Sequence, residues 1–251
     1  MPLIHQYDFD STHYAQVFAL LLRQSDEKQQ AIDWLRQCVE ALPSHQCFVD
    51  AGAGMGTVTA ALQKRFAHTV AIEPNVRFHA SLRAACPQAE LMPCSIQEAL
   101  VPAGSADFIL CAHVFYYIAA TEWSATLEKL MGWLAPGGCL VLVLTHPDAG
   151  TMAVRQHFYA QRVDVGEWAR VWHKQHKEWC DLTITTVPSH IWAASFAEAY
   201  DLTEFMLNWS PGPVLPLRNA VEAYIQARFY QPNRGYRLSC DQTFVQLRRK
   251  A

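Results

Sequence analysis

The chain has 251 residues, of which 51% are hydrophobic and 17% are charged, and its formal net charge is −3 at pH 7. These values are typical of a globular α/β protein with a sizeable core, and they exclude wholesale disorder. The slightly acidic charge gives no attraction to nucleic acid or to an anionic membrane. No stretch approaches the roughly 20 apolar residues of a membrane helix, so we expect neither partner.

Eight cysteines are spread along the chain without a Cys-x-x-Cys pair, and several lie inside apolar runs. This spacing favours buried free thiols of a reducing compartment over a disulfide framework. The N-terminus lacks a basic region followed by an apolar core, which is the pattern of a secretory signal. Together these observations predict a cytoplasmic protein.

The first 45 residues carry apolar side chains at helical spacing on both sides of Ser25, which predicts a pair of helices. From Cys47 onward, short apolar runs alternate with helical stretches. The predicted strands are 47–50, 69–73, 90–92, 107–111 and 138–145. The predicted helices begin near Thr57, Asn75, Ile96 and Thr121. This alternation predicts a parallel, doubly wound sheet with helices on both faces.

Beyond His146 the pattern becomes mainly helical. The predicted helices are 153–161, 167–179, 194–207 and 217–230, and the predicted strands are 182–186 and 237–247. The sequence therefore predicts an N-terminal helical cap of residues 1–46 and a sheet domain of residues 47–251. Helical insertions of the sheet domain are expected around 150–180 and 194–230.

A glycine-rich turn, Gly52-Ala-Gly54-Met-Gly56, separates the first predicted strand from the next helix. Glycines allow a sharp turn and a close approach of the backbone to a ligand. Glu73 stands at the end of the following strand, 21 residues after Gly52. A carboxylate at that place accepts both hydroxyls of a ribose. The pattern therefore predicts a site for a nucleotide-type cofactor.

Asp50, immediately before this turn, extends the pattern to one that resembles motif I of the class I S-adenosylmethionine-dependent methyltransferases. NAD-binding domains usually have Gly-x-Gly-x-x-Gly and no acid there. The runs 105–113 and 134–138 resemble the fourth strand of this family and its entry to the fifth. The resemblance covers residues 47–144 and implies a Rossmann-like fold with a doubly wound, mostly parallel seven-stranded sheet. The alternative is a Rossmann-type domain that binds another nucleotide.

The same resemblance implies S-adenosylmethionine as cofactor and S-adenosylhomocysteine as product. It places Asp50 and Gly52 near the methionine end of the cofactor and Glu73 near the ribose. The other cofactor positions, in the turn, on the following loops and below the methyl donor, are Gly54, Gly56, Phe78, Ser95 and Ala112. Ser95 departs from the acid that is commoner at its position in the family.

A narrower resemblance to histamine N-methyltransferase and its relatives extends outside the sheet. Glu27 falls on the substrate-binding acid of that family, and the run 113–117 falls on its substrate stretch. The resemblance implies methyl transfer to a small molecule, at an amine or imidazole nitrogen. The acceptor contacts that it implies are Tyr14, Glu27, His113, Tyr116, Tyr117, Trp168, Trp172 and Asp241.

Two of these residues are also catalytic candidates. An amine must be neutral to attack a sulfonium methyl group, so His113 is expected to take or relay its proton. Glu27 is expected to hold a second cationic end of the acceptor. Aromatic rings around a cationic donor contribute about 0.5–2 kcal/mol per well-placed ring. His113 also follows the fourth strand, at the sheet edge where open α/β sheets bind ligands.

Purely structural explanations exist for several of these positions. Glu27 follows a predicted Ser N-cap, where the helix dipole favours an acid whatever the function. Trp168 and Trp172 are spaced i, i+4, which also describes the buried stripe of an amphipathic helix. The methylated atom stays open between nitrogen, oxygen and carbon. A non-catalytic, methyltransferase-like binding subunit is a further alternative.

Other chemistry has little support in the sequence. His173, His176 and Cys180 share a helix face, but a structural zinc site requires four ligands, so we predict no metal. The chain has neither a Ser/His/Asp nucleophile elbow nor a phosphate loop ending in Gly-Lys-Ser/Thr. The oligomeric state is not predicted by any of these patterns.

Overall fold

The computed structural model describes residues 2–7, 11–208 and 214–250. Its helices are α1 (Thr12–Gln24), α2 (Glu27–Glu40), α3 (Thr57–Leu62), α4 (Val76–Ala85), α5 (Trp123–Trp133), α6 (Gly150–Tyr159), α7 (Val165–His176), α8 (Phe196–Asn208) and α9 (Arg218–Arg228). Its strands are β1 (Cys47–Ala51), β2 (His68–Ile72), β3 (Glu90–Met92), β4 (Ala106–Ala112), β5 (Leu134–Thr145), β6 (Cys180–Val187), β7 (His190–Ala193), β8 (Tyr230–Gln231), β9 (Gly235–Ser239) and β10 (Gln242–Arg249). Short 3-10 helices cover Gln63–Arg65, Phe115–Tyr117 and Ala120–Glu122.

The strands form a seven-stranded sheet in the order β3-β2-β1-β4-β5-β10-β6 and a small sheet in the order β7-β9-β8. In the large sheet, β1 pairs in parallel with β2 and β4, β2 with β3, and β4 with β5. The strand order reverses between β1 and β4, so a cleft forms at their carboxyl ends. The predicted doubly wound, mostly parallel seven-stranded sheet is confirmed.

The contacts divide the chain into two compact units. The first unit comprises residues 1–30, 145–164 and 188–242, and the second comprises 31–144, 165–187 and 243–251. Residues 31–40 of α2 belong to the second unit because Leu35 and Val39 are buried in the core that contains Phe48 of β1. The domain boundary at residue 46 stays a prediction.

The core of the second unit contains three stacked or tilted rings below the sheet. Phe48, Phe66 and Phe108 have ring centroids 5.3–6.1 Å apart. The start of β1 is held by Asp107, whose Oδ2 accepts hydrogen bonds from the backbone N–H groups of Gln46 at 2.6 Å and Cys47 at 2.9 Å. Because Asp107 is the second residue of β4, its carboxylate joins the beginnings of two neighbouring strands, β1 and β4.

The core of the first unit is built around α8. Leu202, Phe205 and Met206 are buried there together with Val17 of α1. The segment of residues 2–7 follows the same core, since Ile4 is buried and its N–H donates to the Pro216 carbonyl at 3.0 Å. This unit therefore brings the first residues of the chain together with residues near position 205. The periodicity of a single helix does not predict such a contact.

The structure differs from the predicted elements in the following places. The helix predicted from Ile96 is one turn, closed by Ser95 and Glu98, because Pro102 follows too soon for a regular helix to continue. The single strand predicted at 237–247 is divided into β9 and β10. Strands β7 and β8 were not predicted. Within the part of the chain that the structure describes, no helix is both long and apolar enough to span a membrane.

Candidate cofactor site and active site

The glycine turn after β1 has the backbone shape that its sequence predicts. Gly52 has φ +100°, and a Cβ added there would lie 2.1 Å from Val114 Cγ2. Neither the backbone angle nor the space admits another residue. The turn ends at Gly56 (φ +84°), which precedes the first residue of α3. The loop after β4 therefore packs directly on the turn after β1.

Gly54, in the middle of the turn, is surrounded differently. A Cβ built on it meets no heavy atom within 4 Å. The space beside its backbone is open, so a ligand can approach the peptide groups as closely as the glycine allows. Its N–H donates to Glu73 Oε2 at 2.8 Å, which ties the turn to the residue after β2.

Glu73 is only 6% exposed and is held at three points. Besides the bond from Gly54, its Oε1 accepts a hydrogen bond from Asn75 N–H at 2.7 Å. Its carbonyl lies 2.8 Å from the ring Nε2 of the buried His79. Each carboxylate oxygen retains a second lone pair. The side chain is thus fixed in the place where the pattern predicts a ribose-binding acid.

Asp50, at the end of β1, is 2% exposed. Its Oδ2 accepts a hydrogen bond of 2.6 Å from the hydroxyl of Thr59, which lies in the first turn of α3. Burial, with the nearby Asp50 carboxylate as the second cause, raises the pKa of Cys86 to about 11. Cys86 therefore stays a neutral thiol near pH 7.

His113 immediately follows β4 and has an unusual backbone. Its φ is +59°, in the left-handed region that non-glycine residues rarely occupy, although histidine is among those that enter it most often. The conformation is held by a hydrogen bond of 2.8 Å from its N–H to the Val143 carbonyl of β5. Its ring stacks on Tyr116 with centroids 6.2 Å apart. Local strain of this kind clusters at functional sites.

The remaining predicted cofactor positions lie around the same edge of the sheet. Ala112 is the last residue of β4 and Phe78 is a half-buried residue of α4. Ser95 follows β3, and both its N–H and its hydroxyl donate to Glu98 Oε2, at 3.1 and 2.8 Å. These bonds lower the pKa of Glu98. Ser95 is therefore already engaged in a capping turn.

The predicted aromatic wall is only partly assembled. Tyr116 is 38% exposed and Tyr117 is 85% exposed. Trp168 packs with its ring centroid 6.1 Å from Phe115 and 5.3 Å from Trp123. It therefore contacts the loop after β4 through Phe115, a residue that the sequence did not single out.

Trp172 has the environment of a buried helix stripe. It is 4% exposed and stacks on His176 with centroids 4.0 Å apart. The Nδ1 of His176 lies 2.8 Å from the Trp172 carbonyl, and its Nε2 lies 3.6 Å from Glu128 Oε1. These contacts join α7 to α5.

Three predicted acceptor contacts belong to the first unit. Tyr14 stacks near Phe18 and packs 5.1 Å from the Phe205 ring. Glu27 begins α2, and its N–H donates to Ser25 Oγ at 3.1 Å, so the Ser25 hydroxyl satisfies one of the first backbone N–H groups of the helix. Asp241 accepts a hydrogen bond of 3.0 Å from Ser189 N–H. Each residue thus has a local structural role, and its contact with an acceptor stays a prediction.

The sequence trio considered for zinc makes other contacts. The His173 ring Nε2 lies 2.9 Å from the Cys180 carbonyl oxygen, and His176 is engaged with Trp172. Over the described ranges, no group of three or more His, Cys, Asp and Glu side chains is placed to hold a metal ion.

The open backbone at Gly54 and the fixed carboxylate of Glu73 fit the backbone and ribose contacts expected of S-adenosylmethionine. A family model for the methyltransferase domain matches residues 23–198 of this chain. The chain belongs to the class I S-adenosylmethionine-dependent methyltransferase family. The buried Asp50 before the turn agrees with the family's motif I, and the match includes both Glu27 and His113 within its range.

The chain is similar in sequence or fold to the following proteins. An uncharacterized methyltransferase of Mycobacterium bovis is 30% identical over 128 residues, which are 51% of this chain and 49% of the relative. A candidate methyltransferase of Bacillus halodurans shares the fold with a TM-score of 0.64 and 14% identity, over 88% of this chain and 99% of that one. The N-methyltransferase NodS of Bradyrhizobium japonicum has a TM-score of 0.50 and 12% identity, over 97% and 100%. The chain spans about half the length of the curated relatives it matches.

Several residues of the site had no individual role predicted from the sequence. Thr59, Asn75 and His79 act through Asp50 and Glu73, and Val114 and Phe115 shape the loop after β4. Asn75 was noted only as a helix start. The sequence offered no signal for Thr59 and His79, because a buried threonine or histidine in a helix has many structural explanations.

Proposed function

We propose that this protein transfers a methyl group from S-adenosylmethionine to a small molecule, at an amine or imidazole nitrogen. The observation that carries the proposal is the left-handed backbone of His113 at the carboxyl end of β4. The next residue, Val114, lies against Gly52 of the cofactor turn. The imidazole is therefore attached to the loop that borders the turn, in the unit that holds the sheet.

The proposed cofactor supplies a methyl group activated by its bond to a positively charged sulfur. The chain's part is to hold and orient it. Glu73, fixed by Gly54 and Asn75, is proposed to accept the ribose hydroxyls through its remaining lone pairs. Asp50, fixed by Thr59, places a buried negative charge at the start of the turn. Because these contacts hold the methyl donor in place, the acceptor needs only to bind beside it in the right orientation.

His113 is proposed to receive the proton that the acceptor nitrogen must lose. The nitrogen lone pair forms the new bond to the methyl carbon while the carbon–sulfur bond breaks and its electrons stay on sulfur. The imidazole ring nitrogen that carries no hydrogen accepts the released proton, and the ring passes it to solvent. The ring is half-buried beside Tyr116, so it has a route to water.

The aromatic side chains are proposed to limit water and to stabilise positive charge. Tyr116 stacks with His113, and Trp168 supports the same loop through Phe115. Trp172 has the weaker case because it is buried against His176. Tyr117, at 85% exposure, is proposed as an acceptor contact on sequence resemblance alone.

Glu27, Tyr14 and Asp241 are kept as proposed acceptor contacts. The sequence resemblance supports them, and the negative charge of Glu27 suits a cationic end of a diamine or an imidazole with an amine tail.

The free state of all eight cysteines, including Cys38 and Cys139 at an Sγ–Sγ distance of 3.8 Å, supports our proposal of a cytoplasmic location.

The test is methyl transfer from a methyl-labelled donor to a panel of imidazoles, primary amines and phenols. We expect turnover of an amine or an imidazole. His113→Gln should lower kcat by about 10²–10⁴-fold, the usual contribution of a general base, while leaving cofactor affinity within about twofold. Glu27→Gln should raise KM for the acceptor and spare cofactor binding.

His68→Gln is the matched control, since His68 is an exposed histidine of the same unit that pairs with Glu90. It should leave both constants unchanged. Turnover of phenols alone would contradict the nitrogen acceptor, and well-folded protein that binds neither S-adenosylmethionine nor S-adenosylhomocysteine would contradict the enzyme. If Glu27→Gln leaves acceptor kinetics unchanged, Glu27 serves only the start of α2.

A further inference from the structure

Two cysteines of the second unit lie with their sulfur atoms in contact inside its core. Cys38 belongs to α2 and Cys139 to β5, and their Sγ atoms are 3.8 Å apart although the two residues are 101 positions apart in sequence. Cys38 is 8% exposed and Cys139 is 0% exposed. The methyl-transfer site proposed above uses neither residue, so the contact calls for an explanation of its own.

The sulfur pair has polar neighbours on β10. The side-chain Nε2 of Gln246 donates to both sulfurs, at 3.4 Å to Cys38 Sγ and 3.5 Å to Cys139 Sγ. The positive charge of Arg248, two positions further along the strand, favours the ionised form of both thiols. Apolar surroundings alone keep a buried cysteine protonated and inert, whereas a donor and a cation favour the reactive thiolate.

The two thiols share their protons unequally. The hydrogen bond between them raises the pKa of Cys38, with burial as the second cause, and lowers the pKa of Cys139. Cys139 therefore ionises first, while Cys38 keeps its hydrogen and donates it to the Cys139 sulfur. The thiolate is the nucleophilic form of cysteine. The pair thus holds a nucleophile and, in contact with it, the second thiol that a disulfide requires.

We propose that Cys38 and Cys139 form a reversible disulfide when the protein meets a hydroperoxide, and that this bond stabilises the second unit. With hydrogen peroxide, the thiolate sulfur attacks one oxygen, the O–O bond breaks, and the sulfur becomes a sulfenic acid. The sulfur of the other thiol then attacks the sulfenic sulfur, the S–O bond breaks, and the disulfide forms. Both peroxide oxygens end as water, so one peroxide is reduced while two thiols are oxidised.

The geometry of the pair permits this bond. A disulfide has a sulfur–sulfur length of about 2.05 Å, and a change of rotamer moves a cysteine sulfur by roughly 3 Å. Side-chain rotation is therefore sufficient to close the distance of 3.8 Å. The bond would join α2 to the sheet across a long loop, and such a cross-link stabilises a fold mainly by restricting the unfolded chain. The proposal goes beyond methyl transfer, because it needs neither cofactor nor acceptor.

The test is to treat the full chain with hydrogen peroxide in the absence of cofactor, alkylate it in urea and identify linked peptides by mass spectrometry. We expect the peptide of Cys38 to be linked to that of Cys139, and dithiothreitol to release both thiols again. The oxidised chain should unfold at a higher urea concentration than the reduced chain. Cys38→Ala and Cys139→Ala should each abolish both the link and the shift in urea.

Cys180→Ala is the matched control, because Cys180 is a fully buried strand cysteine of the same unit. It should keep both the link and the shift. Absence of the Cys38–Cys139 link in the peroxide-treated wild type would overturn the proposal, and this measurement does not depend on the folding of any variant. A link that leaves the urea midpoint unchanged or lowers it would equally overturn it. Cofactor binding, measured separately on the reduced chain, reports whether the methyltransferase proposal fails on its own.

Discussion

Gly54 offers a direct test of the cofactor turn, because backbone strain and ligand contact can be separated there. Gly54 has φ +55°, and a Cβ added to it meets no atom of the protein within 4 Å. Gly54→Ala therefore introduces the left-handed cost of a non-glycine residue, about 1–2 kcal/mol, and no overlap with other side chains. The new methyl group does, however, enter the open space beside the turn.

We expect a small loss of stability and a large loss of cofactor affinity from this one methyl group. A ligand forced away from the backbone by a Cβ loses close contacts and hydrogen bonds with the turn, and a loss of about 1.4–3 kcal/mol corresponds to a 10–150-fold weaker Kd. Urea unfolding gives the first quantity, and calorimetry with S-adenosylmethionine gives the second.

Gly104→Ala is the matched control. Gly104 belongs to the same unit, has φ +69°, and a Cβ there would lie 4.0 Å from the Leu134 carbonyl oxygen. Its backbone cost is therefore similar, but it precedes β4 at the opposite edge of the sheet. Gly104→Ala should lose comparable stability and keep the cofactor affinity. Equal affinities for wild type and Gly54→Ala would refute the assignment of this turn to the cofactor.

Two further predictions concern buried polar groups. Thr59→Val removes the hydrogen bond to Asp50, so it should lower the free energy of unfolding in urea by about 1.5–3 kcal/mol and weaken cofactor binding. Thr59→Ser keeps the hydroxyl and should retain both stability and affinity. Equal behaviour of the Val and Ser variants would exclude a role for the hydroxyl. Burial raises the pKa of Cys240 to about 12, above its ordinary value of 9.0. Its contribution to stability is thus complete below pH 9 and should fall by about 1.4 kcal/mol per pH unit from pH 9 to pH 12. Cys240→Ala should unfold with a shallower dependence on alkaline pH, and an unchanged slope would contradict this.

The sheet could be predicted because its signals are local. The buried runs of β1, β2 and β4 end at the glycine turn, at Glu73 and at His113, respectively, so the length of each apolar run and the residue that ends it agree. The tertiary packing of the first unit was not predictable in the same way. Its core joins Val17 to Phe205, and no periodicity within one helix reports a contact between segments so far apart in sequence.

The site was predictable only where backbone geometry determines residue type. Gly52 must be glycine because of its φ and of Val114, so its role is visible in the sequence. Thr59 contributes through one hydroxyl that contacts Asp50, and any buried threonine gives the same pattern. The i, i+4 spacing of Trp168 and Trp172 was ambiguous for a similar reason. The two rings share a helix but have different environments, and spacing does not report which partners each one meets.

His113 shows why a residue type can suggest chemistry without revealing geometry, and His113→Gly separates the two. Glycine adopts φ +59° freely, so relief of about 1–2 kcal/mol of left-handed strain roughly offsets the 0.5–1 kcal/mol entropic cost of glycine. We expect a variant within about 1 kcal/mol of wild type in urea, with normal cofactor affinity and the same loss of kcat as His113→Gln. If His113→Gly keeps its activity, the site requires only the path of the backbone, and the proton leaves the acceptor without an imidazole.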